Sequence, residues 1–468
     1  MKKNLFIILC LFALFGCNVG NSSSNSINGN SSLSENKDSN NIGISSSSQS
    51  SEKIDNSKSS IQKQKGYIYD ESDLINIKND LTQTYYLANN IQLTKEWNTI
   101  GDDENPFSGI LDGNGFSIEN LFIKTSLSIT QKTVTSGIDY TSVGGLFGKV
   151  TGTVKNLNIN NFSVIISNQT LNKNVNVSNT EYKIFVGGIA GINKGNIIDC
   201  GVSGDINVGS THQIARGRFG GIVGKNDGIV EHCNSSGKIT SVFSYENVRA
   251  GGLVGAIEGG EIKRSYSSTS LNITNTNGKA IVGGLVGLVE FSNIENCYAT
   301  GTVESKSNKA ATAGGLIGLI DALVTGETTI TNCYAKNKIS ATATDRSSYS
   351  GGIVGNCEVL ISGSSLIGNV TIKNCFYLGE EIFSTARNKA HGGFIISCIE
   401  GNSNFHTITI ENCLYVPNLS ITVKGTVESK KNSQGEEVSS LKEIYNKISL
   451  DSNVWNFDSL SNEAPTLK

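Results

Sequence analysis

Charge of one sign is what this 468-residue chain most plainly lacks. It has 38 Lys and Arg against 41 Asp and Glu, a net of −3, and no basic face. A protein that holds nucleic acid through its phosphates needs such a face, so that class is excluded. The densest basic spot, ARGRF at 215–219, reads as a solvated loop. No HExxH, GxSxG, phosphate-binding loop or kinase signature occurs. The four histidines, His212, His232, His391 and His406, stand singly, which is the pattern of solvated or turn residues. Helical spacing of apolar positions is missing from the body of the chain, and so is any leucine lattice. Helical and leucine-rich repeats are thereby excluded.

What is present begins with MKKNLFIILCLFALFGCNVG. Two lysines and an apolar run from Leu5 to Phe15, too short to span a bilayer, read as a signal peptide over residues 1–16. Leu14-Phe15-Gly16-Cys17 resembles the lipobox of bacterial lipoproteins. That resemblance implies lipidation of Cys17 (diacylglyceryl and palmitate), a stable anchor, and a place in the bacterial cell envelope, at the outer membrane or cell surface. Residues 17–66 carry the lipidated Cys and then a Ser/Asn-rich tract with too little apolar surface to offset ordering. It is expected to be a disordered stalk of roughly 35 to 42 Å r.m.s. reach.

Beyond the stalk the sequence repeats. Gly-Gly pairs start at 144, 187, 220, 251, 283, 314, 351 and 392, at intervals of 43, 33, 31, 32, 31, 37 and 41 residues. Repeats of this length mean a solenoid or a propeller. Between the pairs lie short Val/Ile/Thr runs and turn residues, as in GGEIKRSYSSTSLNITNT. Each pair is followed by a large apolar residue, namely Leu146, Ile189, Ile222, Leu253, Leu285, Leu316, Ile353 and Phe394. In a parallel β-helix these residues stack about 4.8 Å apart as core columns. The glycines then mark bends that need positive φ or sites where backbones approach too closely for a Cβ. A third glycine, present from Gly148 to Gly355, gives way to Ile396, which predicts a distorted last coil.

GGLFG, GGIVG, GGLVG and GGLIG, followed by NCYA, resemble the GLUG motif of bacterial surface proteins. The resemblance spans about residues 85–418 and implies an all-β fold, a right-handed parallel β-helix (β-solenoid) of about eight to nine coils. Small N- and C-terminal caps are expected to cover exposed strand edges. The domain reading is an N-terminal cap and first coil over 67–143, the repeat β-helix over 144–418 and a C-terminal cap over 419–468. The spacing predicts a helix over 74–81 capped by Ser72, and a first strand over 85–93. A second helix is expected from Leu441, with Trp455 and Phe457 plugging the last coil.

Cys200, Cys233, Cys297, Cys333, Cys375 and Cys413 share one repeat position, with Ser265 in the unit lacking Cys, and Cys357 pairs with Cys398 in a second column. Disulfides are the first guess for an exported chain. Stacked side chains, however, point the same way at nearly 5 Å, beyond the roughly 3.5 to 4.5 Å between Cβ atoms that a bridge needs. Buried thiols in a ladder are therefore expected, and no metal site, since no short ligand spacing occurs. LDGNG at 111–115 is a tight turn, because Phe116 and Ile118 stand where calcium would need carboxylates.

No catalytic residue or cofactor site is assigned. Two functional classes stay open. One is an adhesin-like rod presenting lateral loops to a glycan, matrix or cell-surface partner. The other is a polysaccharide lyase or glycosidase using a groove on the β-helix, for which Asp199, Glu231, Glu261 and Glu295 are the candidate acids. The long insertion at 169–180 is the candidate recognition loop.

Overall fold

In the computed structural model each repeat is one turn of a parallel β-solenoid. A single coil shows the plan. Ala280–Gly283 runs along a first face, the chain bends at Gly283-Gly284, Val286–Glu290 forms a second face, and Asn293–Glu295, Tyr298–Ala299 and Val303–Ser307 form a bent third. The next coil repeats it in register, with Gly283 beside Gly314, Val286 beside Ile317 and Tyr298 beside Tyr334. Stacking gives sheets of 10, 8 and 26 strands for the three faces among the described residues. Those residues are 63–468 except 125–126, 135–136, 168–179, 211–214, 245–246, 323–325, 360–367, 401–406, 417–418, 432–434 and 458–462. The signal peptide, Cys17, nearly all of the stalk, His212, His406 and nearly all of the 169–180 insertion lie outside them.

The expected core columns are there. Leu253, Leu285, Leu316 and Ile353 are fully buried, stacked coil on coil. Close approach, and not positive φ, explains most of the paired glycines. A Cβ on Gly284 would stand 2.1 Å from the Gly315 carbonyl oxygen, and one on Gly315 2.0 Å from that of Gly352. Coils can therefore stack at this corner only when neither carries a side chain.

Another residue of each coil does take the left-handed conformation. It precedes the Cys column: Asn156, Asp199, His232, Arg264, Asn296, Asn332, Asn374 and Asn412 all have φ between 46° and 54°. Asn tolerates this region because its short polar side chain bonds locally. Here it bonds along the stack, Asn374 Nδ2 to Asn332 Oδ1 at 3.0 Å and Asn412 Nδ2 to Asn374 Oδ1 at 2.8 Å.

The eight cysteines from Cys200 to Cys413 are buried, and none is in a disulfide. In the main column each thiol donates to the carbonyl two residues back, as in Cys297 Sγ to Glu295 O at 3.1 Å and Cys333 Sγ to Thr331 O at 3.1 Å. Ser265 makes the same bond to Lys263 O at 2.7 Å. A small side chain with one donor is what the corner requires.

Three local expectations are corrected. The first helix spans Glu71–Ile75 with Asp70 as N-cap, followed by a 3-10 turn at Asn76–Asn79. Asp70 accepts the Asp73 amide at 3.0 Å, while Ser72 lies inside the first turn and donates to Asp70. Asp80 then accepts the Thr82 amide at 3.0 Å and closes the segment as a turn. The expected first strand is divided into Thr84–Leu87 and Ile91–Gln92, and Tyr67–Ile68 precedes it, pairing with Tyr86 and Leu87.

The last unit is shifted by one residue relative to the Gly-Gly alignment. Gly351 pairs with Gly393, not Gly392, and Val354 with Ile396. Ile395, buried, takes the core position expected of Phe394. Cys357 pairs with Ile399, so the second cysteine column does not exist.

The C-terminal segment does not plug the last coil. The helix Leu441–Lys447 and the antiparallel pair Trp455–Asn456 with Thr466–Leu467 lie along the third face. They cover a ladder of parallel rings, Tyr266, Tyr298, Tyr334 and Phe376, with centroids 4.7, 4.9 and 5.1 Å apart. Trp455 packs on Tyr298 and Tyr334, and Tyr334 donates to the Pro465 carbonyl at 2.6 Å. Trp97, at the other end, is buried and donates to Leu146 O at 3.1 Å. There the strand Ser128–Val134 pairs antiparallel with Gly137–Gly144 and covers the edge of the first face.

Candidate functional site: a lateral groove between the first two faces

On the second face, the seventh residue after the first glycine of the pair points outward, and from the third Gly-Gly pair onward it is always acidic. Asp227, Glu258, Glu290, Asp321, Glu358 and Glu400 form one column along the axis. Glu258 pairs with Glu290, Asp321 with Glu358 and Glu358 with Glu400. Glu400 falls in line only because of the one-residue shift in the last unit. Beside the acids runs a second outward column, Lys225, Ala256, Leu288, Leu319 and Asn356. Across the Gly-Gly corner the first face contributes Arg218, Arg249, Ile281, Thr312, Tyr349 and His391.

These columns make a lateral groove with an acidic wall, open at its N-terminal end and closed over the apolar side chains further along. Ala256, Ile281, Leu288 and Leu319 are buried together as a cluster separate from the solenoid core. At the N-terminal end the walls are ion-paired. Arg218 meets Glu258 at 2.5 Å, and Lys225 meets both Asp227 and Glu258 at 2.9 Å. Arg218 also lies over the Phe185 ring, 5.1 Å from its centroid. A cavity of about 330 Å³ opens here, lined by Lys183, Phe185, Ile192, Arg216, Arg218 and Lys225 among others. Burial alone would raise the Glu258 carboxyl, but Arg218 and Lys225 outweigh it and hold it low. At the C-terminal end Tyr349 donates to Glu400, which also accepts from Asn356 Nδ2 at 3.2 Å, and the Tyr349 ring stacks on His391 at 5.0 Å. Lys279 reaches Glu358 at 3.0 Å.

The centre differs. The Glu290 carboxyl has no hydrogen bond or ion pair among the described residues. Burial, with the charges of Glu258 and Asp321 on either side, raises its pKa to about 7. Arg249 Nε, one coil before it, and Asn356 Oδ1, two coils after, are buried without a hydrogen-bond partner, as is Asp227 Oδ1, and Asn356 is only 1% exposed. Such groups are costly where nothing satisfies them.

The acids singled out by sequence serve the fold. Glu231, Lys263 and Glu295 share one column with alternating charge, and Glu231 pairs with Arg264 at 2.6 Å. Glu261 pairs with Lys263 at 2.6 Å. Asp199 bonds His232 Nδ1, whose Nε2 meets the Lys468 backbone oxygen at 3.0 Å, so this trio fastens the C-terminal segment. The groove acids are legible in GGLVGAIE, GGLVGLVE and GGLIGLID, but only when counted from the glycines; counting from the cysteines hides them. Among the described residues no group of acids, His and Cys is placed to hold a metal ion.

The GLUG motif model matches this chain at residues 215–240 and 280–304. Each match includes a first-face strand, a Gly-Gly corner and the second-face strand that follows. No curated protein matches the chain. Among solved structures it is similar to a Bacteroides ovatus protein provisionally described as an immunoglobulin A1 protease, at 15% identity and a TM-score of 0.36, covering 86% of this chain and 91% of that one. It is also similar to a chain described as IgA1 protease, at 18% identity and a TM-score of 0.33, covering 65% of this chain but 21% of that one.

Proposed function

We propose that this GLUG-motif β-solenoid is a binding rod, tethered to the bacterial envelope through a lipidated Cys17 and presenting its lateral groove to an extended glycan, matrix or cell-surface partner. The observation that carries the reading is the groove itself. Columns from the first and second faces run in register over successive coils, ion-paired through Arg218, Lys225 and Lys279, with a cavity of about 330 Å³ at the N-terminal end. A surface of about six coils at about 4.8 Å each offers many weak contacts to a linear partner, and such contacts multiply when engaged together. The Cys17 anchor follows from the lipobox resemblance, and the stalk would let the rod reach beyond the membrane surface. Attachment to immobilised glycans and matrix proteins, compared between the natural chain and one with groove substitutions, tests the reading. Equal attachment by both would overturn it.

One observation favours a second reading, a glycoside hydrolase or lyase. Glu290, with its pKa near 7, sits one coil from other carboxylates, and glycosidases use such unequal carboxyl pairs as acid and base. Release of reducing ends from a polysaccharide, lost in Glu290→Gln, would establish the enzyme.

A further inference from the structure

We infer that the cavity at the N-terminal end of the groove is a subsite for an acidic sugar residue at the end of a glycan chain, a ring that carries one carboxylate beside several hydroxyls. This rests on the binding reading above and names the chemistry that its open end would take.

Three outward columns build the cavity. Thr141, Lys183 and Arg216 stack in one and Phe185 and Arg218 in the next, both on the first face. Ile192 and Lys225 stack on the second face, across the Gly-Gly corner. The two arginines of ARGRF lie on the strand Ala215–Gly220, so the densest basic spot of the sequence is a cavity wall and not a solvated loop.

Positive charge is in excess here. Five cations, Lys183, Lys194, Arg216, Arg218 and Lys225, line the cavity against three carboxylates, Asp103, Asp227 and Glu258. Each carboxylate is already divided between two cations. Asp103 serves Lys132 and Lys149, Asp227 serves Lys194 and Lys225, and Glu258 serves Lys225 and Arg218. The Arg218 side chain is 14% exposed, and burial lowers its pKa in spite of Glu258 beside it. An anion entering between these groups meets positive charge that is poorly solvated and only partly compensated, where charge-assisted hydrogen bonds are strongest.

A bare inorganic anion fits less well, because Asp103, Asp227 and Glu258 repel it and have use for donors. Sugar hydroxyls donate to carboxylates, while a sugar carboxylate accepts from lysine and arginine, so one acidic ring answers both signs. The volume of about 330 Å³ lies at the small end of ligand pockets, about 300–1,000 Å³. Further along, the groove is closed over Ala256, Ile281, Leu288 and Leu319, and its wall stays acidic from Glu258 to Glu400. A second carboxylate would meet that wall. The acidic ring is therefore the terminal one, and the rest of the glycan leaves toward solvent.

The test is calorimetric titration of the full chain with five probes: sialyllactose, a disaccharide ending in glucuronate, lactose, inorganic phosphate and a hexagalacturonate. At least one of the two end-charged probes should bind about tenfold or more tightly than the other three, and which one does so tells a sialate site from a uronate site. Lys183→Gln and Lys225→Gln should each weaken that binding about tenfold. Lys263→Gln, on the third face, should leave it unchanged. The Lys183 side chain is 29% exposed and its loss should not disturb folding, so Lys183→Gln decides the case if Lys225→Gln does not fold. Tightest binding of lactose, phosphate or hexagalacturonate, or end-charged binding indifferent to Lys183→Gln, overturns the subsite. So does failure of both end-charged probes while groove substitutions still abolish attachment to a matrix protein, and in that case the binding rod survives. If both end-charged probes fail and groove substitutions leave attachment unchanged, both readings fall.

Discussion

The indole nitrogen of Trp455 donates to the Asn296 side-chain oxygen at 3.1 Å, joining residues 159 apart in the chain. Asn296 belongs to the left-handed column of the solenoid, and Trp455 to the C-terminal segment laid over its third face. The bond is one of a row. Asn412 Nδ2 donates to Lys447 O at 3.2 Å, and Tyr445 donates to Glu463 O at 2.7 Å within the segment. The segment is a strap fixed side-on to several coils, and it gives the solenoid contacts that no single repeat supplies.

Trp455→Ala should free the strap without melting the coils. The indole is 1% exposed, and truncating a large buried aromatic costs about 3–5 kcal/mol. Limited proteolysis should cut within 438–468 at once, while circular dichroism of the sheets is little changed. Loss of the whole β signal would mean that strap and solenoid fold as one unit.

His232 makes strap docking depend on pH. Its pKa is raised, first by the bond to Asp199 and then by the Lys468 oxygen. A histidine raised in the folded chain contributes stability fully below its unfolded value, near 6.5, and loses that contribution as pH rises through the higher folded value. Hydrogen exchange in the strap should therefore be slower at about pH 6 than at about pH 9 after correction for intrinsic rates. His232→Asn, which keeps a residue suited to φ 53°, should flatten the difference.

Glu290 acts in the same direction from the groove. Its pKa rises from 4.5 to about 7, so its contribution is complete below about 4.5 and disappears through about 7. Glu290→Gln should leave stability unchanged in acid and raise it above neutrality. Partial exposure limits the gain to on the order of 1 kcal/mol. Urea titrations of both chains at two pH values measure this.

The buried thiols should be silent until the chain unfolds. Burial raises the Cys357 thiol to about 12, and the cysteines of the main column are equally enclosed. Maleimide should label the eight from Cys200 to Cys413 only in denaturant, without any reductant. Cys297→Ser should cost little, since Ser265 already fills the equivalent place and donates to the equivalent carbonyl. Few thiols in the denatured, unreduced chain would mean that bridges form.

Gly284→Ala should destabilise by about 1–3 kcal/mol, because the new methyl meets backbone oxygen at 2.1 Å and the stack cannot open locally. Gly209→Ala, where nothing lies within 4 Å, should stay within about 0.5 kcal/mol of the natural chain. Thermal melts compare them.

Much of this architecture was legible in the residues because translation along the sequence becomes translation along the axis. Gly-Gly at a near-constant interval, a large aliphatic after it and a Cys or Ser later in the unit determine a coil, its bend and its core column. The groove acids were legible by the same count. They keep step with the glycines but not with the cysteines, which insertions push to varying distances. Asn before Cys likewise carried the left-handed corner, since Asn is the side chain that bears positive φ at least cost.

Tertiary structure alone decided the rest. The one-residue shift that places Ile395 in the core and Glu400 in the groove depends on which hydrogen bonds the last coil makes, and GGFIIS aligns equally well both ways as text. The strap depends on contacts across up to 236 residues, from His232 to Lys468, between a repetitive body and a tail without a period. Periodicity reports only what a residue shares with its counterparts in neighbouring coils. A contact made once, between surfaces far apart in the chain, leaves no such trace, and only the folded geometry brings its partners together.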